Sequence, residues 1–248
     1  MQQDSNIAIV ILAAGQGKRM NSELPKVLHE IGGRPMLCHV IDSVQRLAPG
    51  RVVVVTGYQA ERVEDACRDQ GVEFARQNEQ LGTGHAVMQT APLLQDWKGT
   101  VVVLNGDVPG LRAETIGAFL EHHLRSGAAA TVLTAELDDP GGYGRIVRGA
   151  AGGLERIVEH RDATEAERAI REINSGLFCF QADELFPALG RVTRRNAQNE
   201  YYLTDVVGLL HHEGRPVGAW RVEDAREVAG VNNPDELESV RRFVGDQS

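Results

Sequence analysis

The residues with most to offer chemically lie between Leu12 and Lys26, in the stretch LAAGQGKRMNSELPK. Ala13, Ala14, Gly15 and Gly17 are small enough for backbone N–H groups to approach a ligand closely, and bare N–H groups attract anions. Arg19 adds a planar fork that suits phosphate, and Lys26 a mobile point charge. Two familiar phosphate loops are excluded. Met20 stands where a dinucleotide-binding turn needs its third glycine. Gly17-Lys18 is followed by Arg19 rather than the Ser or Thr of a P-loop, and Leu12 stands where that loop begins with glycine. By itself, Gly-x-Gly is equally compatible with a plain strand-to-loop turn.

Other candidates are scattered. Asp107 closes the apolar run TVVVLNGD, where a carboxylate can hold a cation or merely cap a turn. Asn232, in GVNNPDEL, can equally cap a helix opened by Pro234. The histidines show no metal-binding spacing, and His122-His123 and His211-His212 are adjacent pairs on helical stretches, where neighbours do not share a face. No G-x-S-x-G nucleophile turn occurs. Cys38, Cys67 and Cys179 lack CxxC pairing and read as reduced, buried thiols in a cytoplasmic protein.

The elements that must position these groups alternate. IAIVILAAG, RVVVVTGY and TVVVLNGD are short β-rich runs without period-2 alternation, as expected of a parallel sheet covered on both faces. Met36–Leu47, Ala60–Gln70 and Thr83–Leu94 carry helical apolar spacing between them. An α/β fold follows, with ligands at the carboxyl ends of its strands. Thr131–Glu159 and Glu172–Gln181 read as longer strands with Gly-rich turns, an antiparallel or mixed extension, and a final helix is expected at about Pro234–Val244. The 248 residues are 42% hydrophobic and 25% charged, ordinary for a globular chain. The net charge of −9 argues against a nucleic-acid partner. No secretory signal and no apolar run of membrane-spanning length is present.

LAAGQGKRMNSELPKVLHEIGGRPM resembles the signature of the sugar-1-phosphate nucleotidylyltransferases, in particular the uridylyltransferase half of the bacterial bifunctional enzymes that make UDP-N-acetylglucosamine. QNEQLGTGHAV, VVVLNGDVP, GGYGRI, IVEHRDAT, EINSGLF and GVNNPDEL follow in the family's order. The resemblance implies a Rossmann-like nucleotidyltransferase fold, with residues 1–248 as one domain. It implies that Leu12, Ala13, Ala14, Gly15 and Gly17 wrap the nucleotide, Arg19 binds the triphosphate tail and Lys26 bridges the reacting phosphates. Gln77, Gly82 and Thr83 would read uracil, whose imide edge an amide and backbone groups can complement. Asp107 and Asn232 would hold Mg²⁺, which tolerates few protein ligands. Gly144, Glu159 and Asn174, together with Asn232, would bind the N-acetylglucosamine moiety. NEYYLTDV matches too and reads as structural, its tyrosines packing the sheet, while His85 and His160 lie in matched stretches without an assigned part.

The implied reaction is Mg²⁺-dependent transfer of UMP from UTP to N-acetylglucosamine 1-phosphate. A sugar phosphate has a second pKa of about 6 and arrives largely ionised, so the missing general base is no obstacle. Two departures qualify the match. Asn105 stands before Gly106-Asp107 where family members often carry Tyr, which bears on the sugar. The family continues into a left-handed β-helix of hexapeptide repeats that carries acetyl transfer and trimerisation, whereas this sequence runs to Ser248 without such repeats, so a monomer lacking acetyltransferase activity is expected. Competing readings are a transferase for another nucleotide or sugar 1-phosphate and a non-catalytic nucleotide sensor. An NAD-dependent oxidoreductase would need an acidic residue closing the second strand, and Val55-Thr56-Gly57-Tyr58 has none.

Overall fold

The computed structural model describes residues 6–245. In chain order its strands are β1 (Ile7–Ala13), β2 (Glu30–Ile31), β3 (Arg34–Pro35), β4 (Arg51–Thr56), β5 (Glu73–Arg76), β6 (Thr100–Asn105), β7 (Ala130–Glu136), β8 (Arg145–Arg148), β9 (Leu154–Val158), β10 (Glu172–Gln181) and β11 (Val217–Arg221). The helices are α1 (Met36–Gln45), α2 (Ala60–Ala66), α3 (Thr83–Met88), α4 (Ala91–Leu94), α5 (Ala113–Ser126), α6 (Glu165–Arg168), α7 (Ala182–Leu189), α8 (Thr204–His212) and α9 (Pro234–Gly245).

The main sheet runs β11-β7-β10-β6-β1-β4-β5, with the β8–β9 hairpin attached to β10. The pairs β6–β1, β1–β4, β4–β5 and β11–β7 are parallel, and β10 lies antiparallel to both β6 and β7. It is a Rossmann-like α/β architecture. The uniform apolar runs are explained by burial on both faces: Val10, Val53 and Val101 join α3, α7 and α8 in one core, while Ile9, Val52 and Val102 join α1 and α5 in the other.

The chain passes from β1 to β4 and β5 on one side, then returns to the far side of β1 with β6. Loops leaving the carboxyl ends of β1 and β6 therefore diverge, and that divergence opens a crevice. Leu12 and Asn105 are register partners at its floor. A third, small core (Met20, Ile31, Met36, Val231, Leu237 and Val240) ties the first loop to α9. Met20, which broke the glycine fingerprint, is that loop's apolar anchor and is 4% exposed.

Local differences from the sequence reading have clear causes. The helix expected over Thr83–Leu94 divides into α3 and α4, with Pro92 at the start of the second. Thr131–Glu159 holds strands β7, β8 and β9, which are short and separated at the Gly-rich turns. In β10 the register slips between Asn174 and Phe178 at a bulge where Gly176 has φ +82°. The positive φ favours glycine there, and a Cβ on Gly176 would stand 2.3 Å from Asn105 Nδ2, so the Asn105 amide would have to move. All three cysteines are buried and unpaired. Among the described residues no helix is long and apolar enough to cross a membrane.

Candidate functional site

The first loop is built to deliver Lys26. Gly17 has φ +68°, and a Cβ there would lie 2.5 Å from Lys26 Cβ, so the lysine stem passes directly against the glycine. The Lys26–Leu28 turn is held by the buried side chains of Val27 and Leu28. Lys26 Nζ then donates to Asp107 Oδ2 and, at 3.2 Å, to Asn232 Oδ1. Three groups separated by 81 and 206 positions thus meet at one cation. Gly15 differs from Gly17: a Cβ there would meet nothing within 4 Å, so no packing requirement holds it as glycine.

Asn232 and Asn233 divide two jobs that could not be separated in sequence. Asn233 caps α9, its Oδ1 accepting from the Glu236 N–H at 2.9 Å, and its Nδ2 donating to Glu236 Oε1 at 2.7 Å. Asn232 donates its backbone N–H to Glu236 Oε2 at 2.7 Å, which leaves its side chain for the cleft. The Val231 N–H bonds the Asp107 carbonyl at 3.0 Å, fastening the two oxygen-bearing segments together. Upstream, the Glu227 carboxylate is 1% exposed and accepts from the Arg112 guanidinium and from Thr115 Oγ1 at 2.5 Å, anchoring the approach to Asn232.

Three contiguous cavities meet along the crevice. One of about 270 Å³ is lined by Leu12, Ala13, Ala14, Gly15, Lys26, Gln77, Gly82, Thr83 and Asp107. A second, about 210 Å³, is lined by Gly144, Glu159 and Asn174. The third, about 390 Å³, brings Arg19 beside Asp107 and Asn232. Asn105 lines all three. Gly17 lines none of these three cavities and packs against Lys26, and Asn232 lines the third cavity with Arg19 and Asp107, while Gly144, Glu159 and Asn174 line the second. A larger cavity of about 470 Å³, between α1 and the start of α5, contains none of the candidate site residues.

The second cavity is a knot of three strand ends. The Asn174 N–H donates to the Gly144 carbonyl at 2.9 Å, and Thr204 Oγ1 donates to Glu159 Oε1 at 3.0 Å. Burial, with the nearby carboxylates of Asp205, Asp162 and Glu200, pushes the Glu159 carboxyl above its ordinary range against that hydroxyl bond. Burial, helped by Asp162, raises the neighbouring Asp205 to about 6. Tyr143, Thr204 and Glu227 escaped the sequence reading. Tyr143 lines two cavities and its hydroxyl accepts the Gly230 N–H at 3.2 Å; its place inside GGYGRI was the available signal. Thr204 had the same kind of signal in its place inside NEYYLTDV, whereas Glu227 carried none, because its partners are distant in sequence. NEYYLTDV does more than pack the sheet: the Tyr201 carbonyl accepts the Gly84 N–H at 2.8 Å, and Tyr202 reaches Asp162 Oδ2 at 3.1 Å.

A strand-end loop, an acidic residue after a parallel strand and a cavity at the topological switch are general α/β features, and comparison with known proteins narrows them. The model of the MobA-like NTP transferase domain matches residues 9–176. The chain belongs to the MobA-like NTP transferase family. Among curated relatives of this NTP transferase, the bifunctional protein GlmU of Geobacillus thermodenitrificans is 51% identical over 238 residues, 96% of this chain and 52% of that protein. GlmU of Brevibacillus brevis is 51% identical over 240 residues, 97% of this chain and 52% of that protein. The chain spans about half the length of the curated relatives it matches. Solved structures share its fold. A putative glucose-1-phosphate thymidylyltransferase from Bacillus anthracis superposes with TM-score 0.77 at 18% identity, covering 97% of this chain and 96% of that one. HddC from Yersinia pseudotuberculosis, complexed with GMP-PN, gives 0.68 at 20%, covering 95% and 99%.

Proposed function

We propose that this NTP transferase moves UMP from UTP to N-acetylglucosamine 1-phosphate, releasing pyrophosphate. The observation that carries this reading is the meeting of Lys26, Asp107 and Asn232 where the first and third cavities adjoin. UTP would lie along the first cavity with its base against Gln77, Gly82 and Thr83, and the sugar would lie against Gly144, Glu159 and Asn174. Near the junction, an ionised oxygen of the sugar phosphate attacks the α-phosphorus of UTP. The bond from that phosphorus to the bridging oxygen of the β-phosphate breaks, and the electron pair leaves with pyrophosphate. The obstacle is repulsion among anions, which Lys26 and Arg19 oppose by fixed charge and by positioning.

The donor chemistry fits a hard divalent cation. A carboxylate and an amide oxygen already converge on one cationic group, the Lys26 ammonium, and Mg²⁺ is content with few protein ligands. Asp107 and Asn232 would hold it, and it would neutralise developing phosphate charge. Among the described residues no group of three or more His, Cys, Asp or Glu side chains converges on a metal position, so the site would rest on these two oxygens.

We take the chain to act as one catalytic domain, a monomer in the cytoplasm. A second reading, with another sugar 1-phosphate as acceptor, is favoured by Asn105, which borders all three cavities and departs from the family's Tyr. Pyrophosphate release across a grid of nucleoside triphosphates and sugar 1-phosphates, with and without Mg²⁺, separates the two. Signal confined to UTP with N-acetylglucosamine 1-phosphate is the expected result, and silence with every pair would sink catalysis itself.

A further inference from the structure

Gln77 is 3% exposed, and both protons of its Nε2 are spent inside the wall of the first cavity. One meets the Gly82 carbonyl at 3.0 Å and the other meets His85 Nδ1 at 3.1 Å. An amide nitrogen can only donate, so His85 Nδ1 must accept and its Nε2 must carry the ring proton. Turning the amide over would press Oε1 against the Gly82 carbonyl, acceptor against acceptor, so the network decides the orientation. Oε1 is then the polar atom left to face the cavity that Gln77 lines.

His85 does not line that cavity. It stands behind Gln77, its ring stacked on Tyr201 at 6.0 Å between centroids and 26° between planes. The Gln89 Nε2 donates to the His85 carbonyl at 2.9 Å and comes within 3.2 Å of His85 Nε2. A neutral ring accepts on one side only. Gln89 is part-exposed and can turn its amide away, whereas the Gln77 amide is 3% exposed and held at two points inside the wall, so Gln77 settles which side that is.

We propose that His85 is a positioning residue that sets base specificity: by accepting from Gln77 Nε2 it holds the amide oxygen toward the base. A fixed acceptor selects a pyrimidine that carries N3–H, as uracil does, over cytosine, whose N3 is bare. A released amide can turn and offer a donor instead, and the selection is lost. The inference deepens the uridylyltransferase reading and rests on it for Gln77 as the residue facing the base.

The test pairs two substitutions with one measurement on the wild-type protein. His85→Phe keeps a ring against Tyr201 and removes the acceptor, while His85→Asn returns an acceptor oxygen near the place of Nδ1. In His85→Phe the ratio of kcat/KM for UTP over CTP should fall about tenfold or more. The loss should sit in KM for UTP and in direct UTP binding without sugar phosphate, with kcat largely kept, and His85→Asn should recover part of it. Nitrogen NMR of labelled histidine in the wild-type protein should report His85 with the proton on Nε2, and a proton on Nδ1 overturns the proposal whatever the variants do. A UTP preference that survives in folded His85→Phe refutes the role of His85 alone. A wild-type protein that shows no preference for UTP refutes the base reading and the specificity role with it.

Discussion

Gly17 and Gly15 lie two residues apart in one loop, yet replacing them with alanine should have opposite consequences. At Gly17 (φ +68°) an alanine takes up a left-handed backbone, which costs about 1–2 kcal/mol. Its Cβ would also stand 2.5 Å from Lys26 Cβ. Ordinary carbon contacts begin near 3.5 Å, so the lysine backbone must retreat by about 1 Å. Such overpacking costs about 1–3 kcal/mol. The total of about 2–5 kcal/mol leaves a folded protein whose melting temperature is lower by roughly 4–20 °C for a domain of this size. Function should suffer more. A shift of about 1 Å draws Lys26 away from Asp107 and Asn232, and displacement on that scale lowers turnover about 10²-fold. Gly15→Ala meets nothing within 4 Å, so its unfolding midpoint should match the wild type within about 0.5 kcal/mol, while KM for UTP rises if backbone N–H groups there approach the nucleotide. Thermal unfolding and pyrophosphate release read both effects. Gly17→Ala with wild-type melting temperature and turnover would refute the argument that this glycine exists to admit Lys26.

Two further outcomes are expected. Lys26→Ala should lower turnover about 10²–10³-fold with little change in unfolding midpoint, because its charge is aimed at the reacting phosphates from a cleft rather than from a core; pyrophosphate release beside a melting curve checks this, and wild-type turnover would sink the assignment. Asp205 concerns stability and pH. Its folded pKa of about 6 lies above the ordinary 3.8, so ionisation favours the unfolded chain: stability is full below pH 4 and falls as pH rises toward 6. Asp205→Asn should therefore melt with the wild type near pH 3.5 and be more stable at pH 8, by roughly 1 kcal/mol after allowing for solvent screening of a half-buried group. A pH-independent difference would refute the cause.

The alternation of β-rich runs with helical spacing was legible because burial on both faces leaves an apolar mark in the sequence, and the three parallel strands read that way are β1, β4 and β6. Breaks within elements were less legible, since the bulge in β10 brings Gly176 against Asn105 of β6, a contact no local pattern records. The loop Leu12–Lys26 stood out by residue type, and motif order supplied residues that line the same crevice. The sequence by itself thus determined the layered α/β architecture and an inventory of charged, amide and small residues at strand ends, because hydrophobic period and turn chemistry act over a few residues at a time. Only the tertiary structure decided that Lys26 meets Asp107 and Asn232, that Asn233 rather than Asn232 caps α9, that Gly17 serves packing while Gly15 does not, and that His85 stands behind Gln77. Each of those depends on which side chains share a few ångströms once the chain has returned to the far side of β1, and that proximity is a property of strand order rather than of sequence spacing.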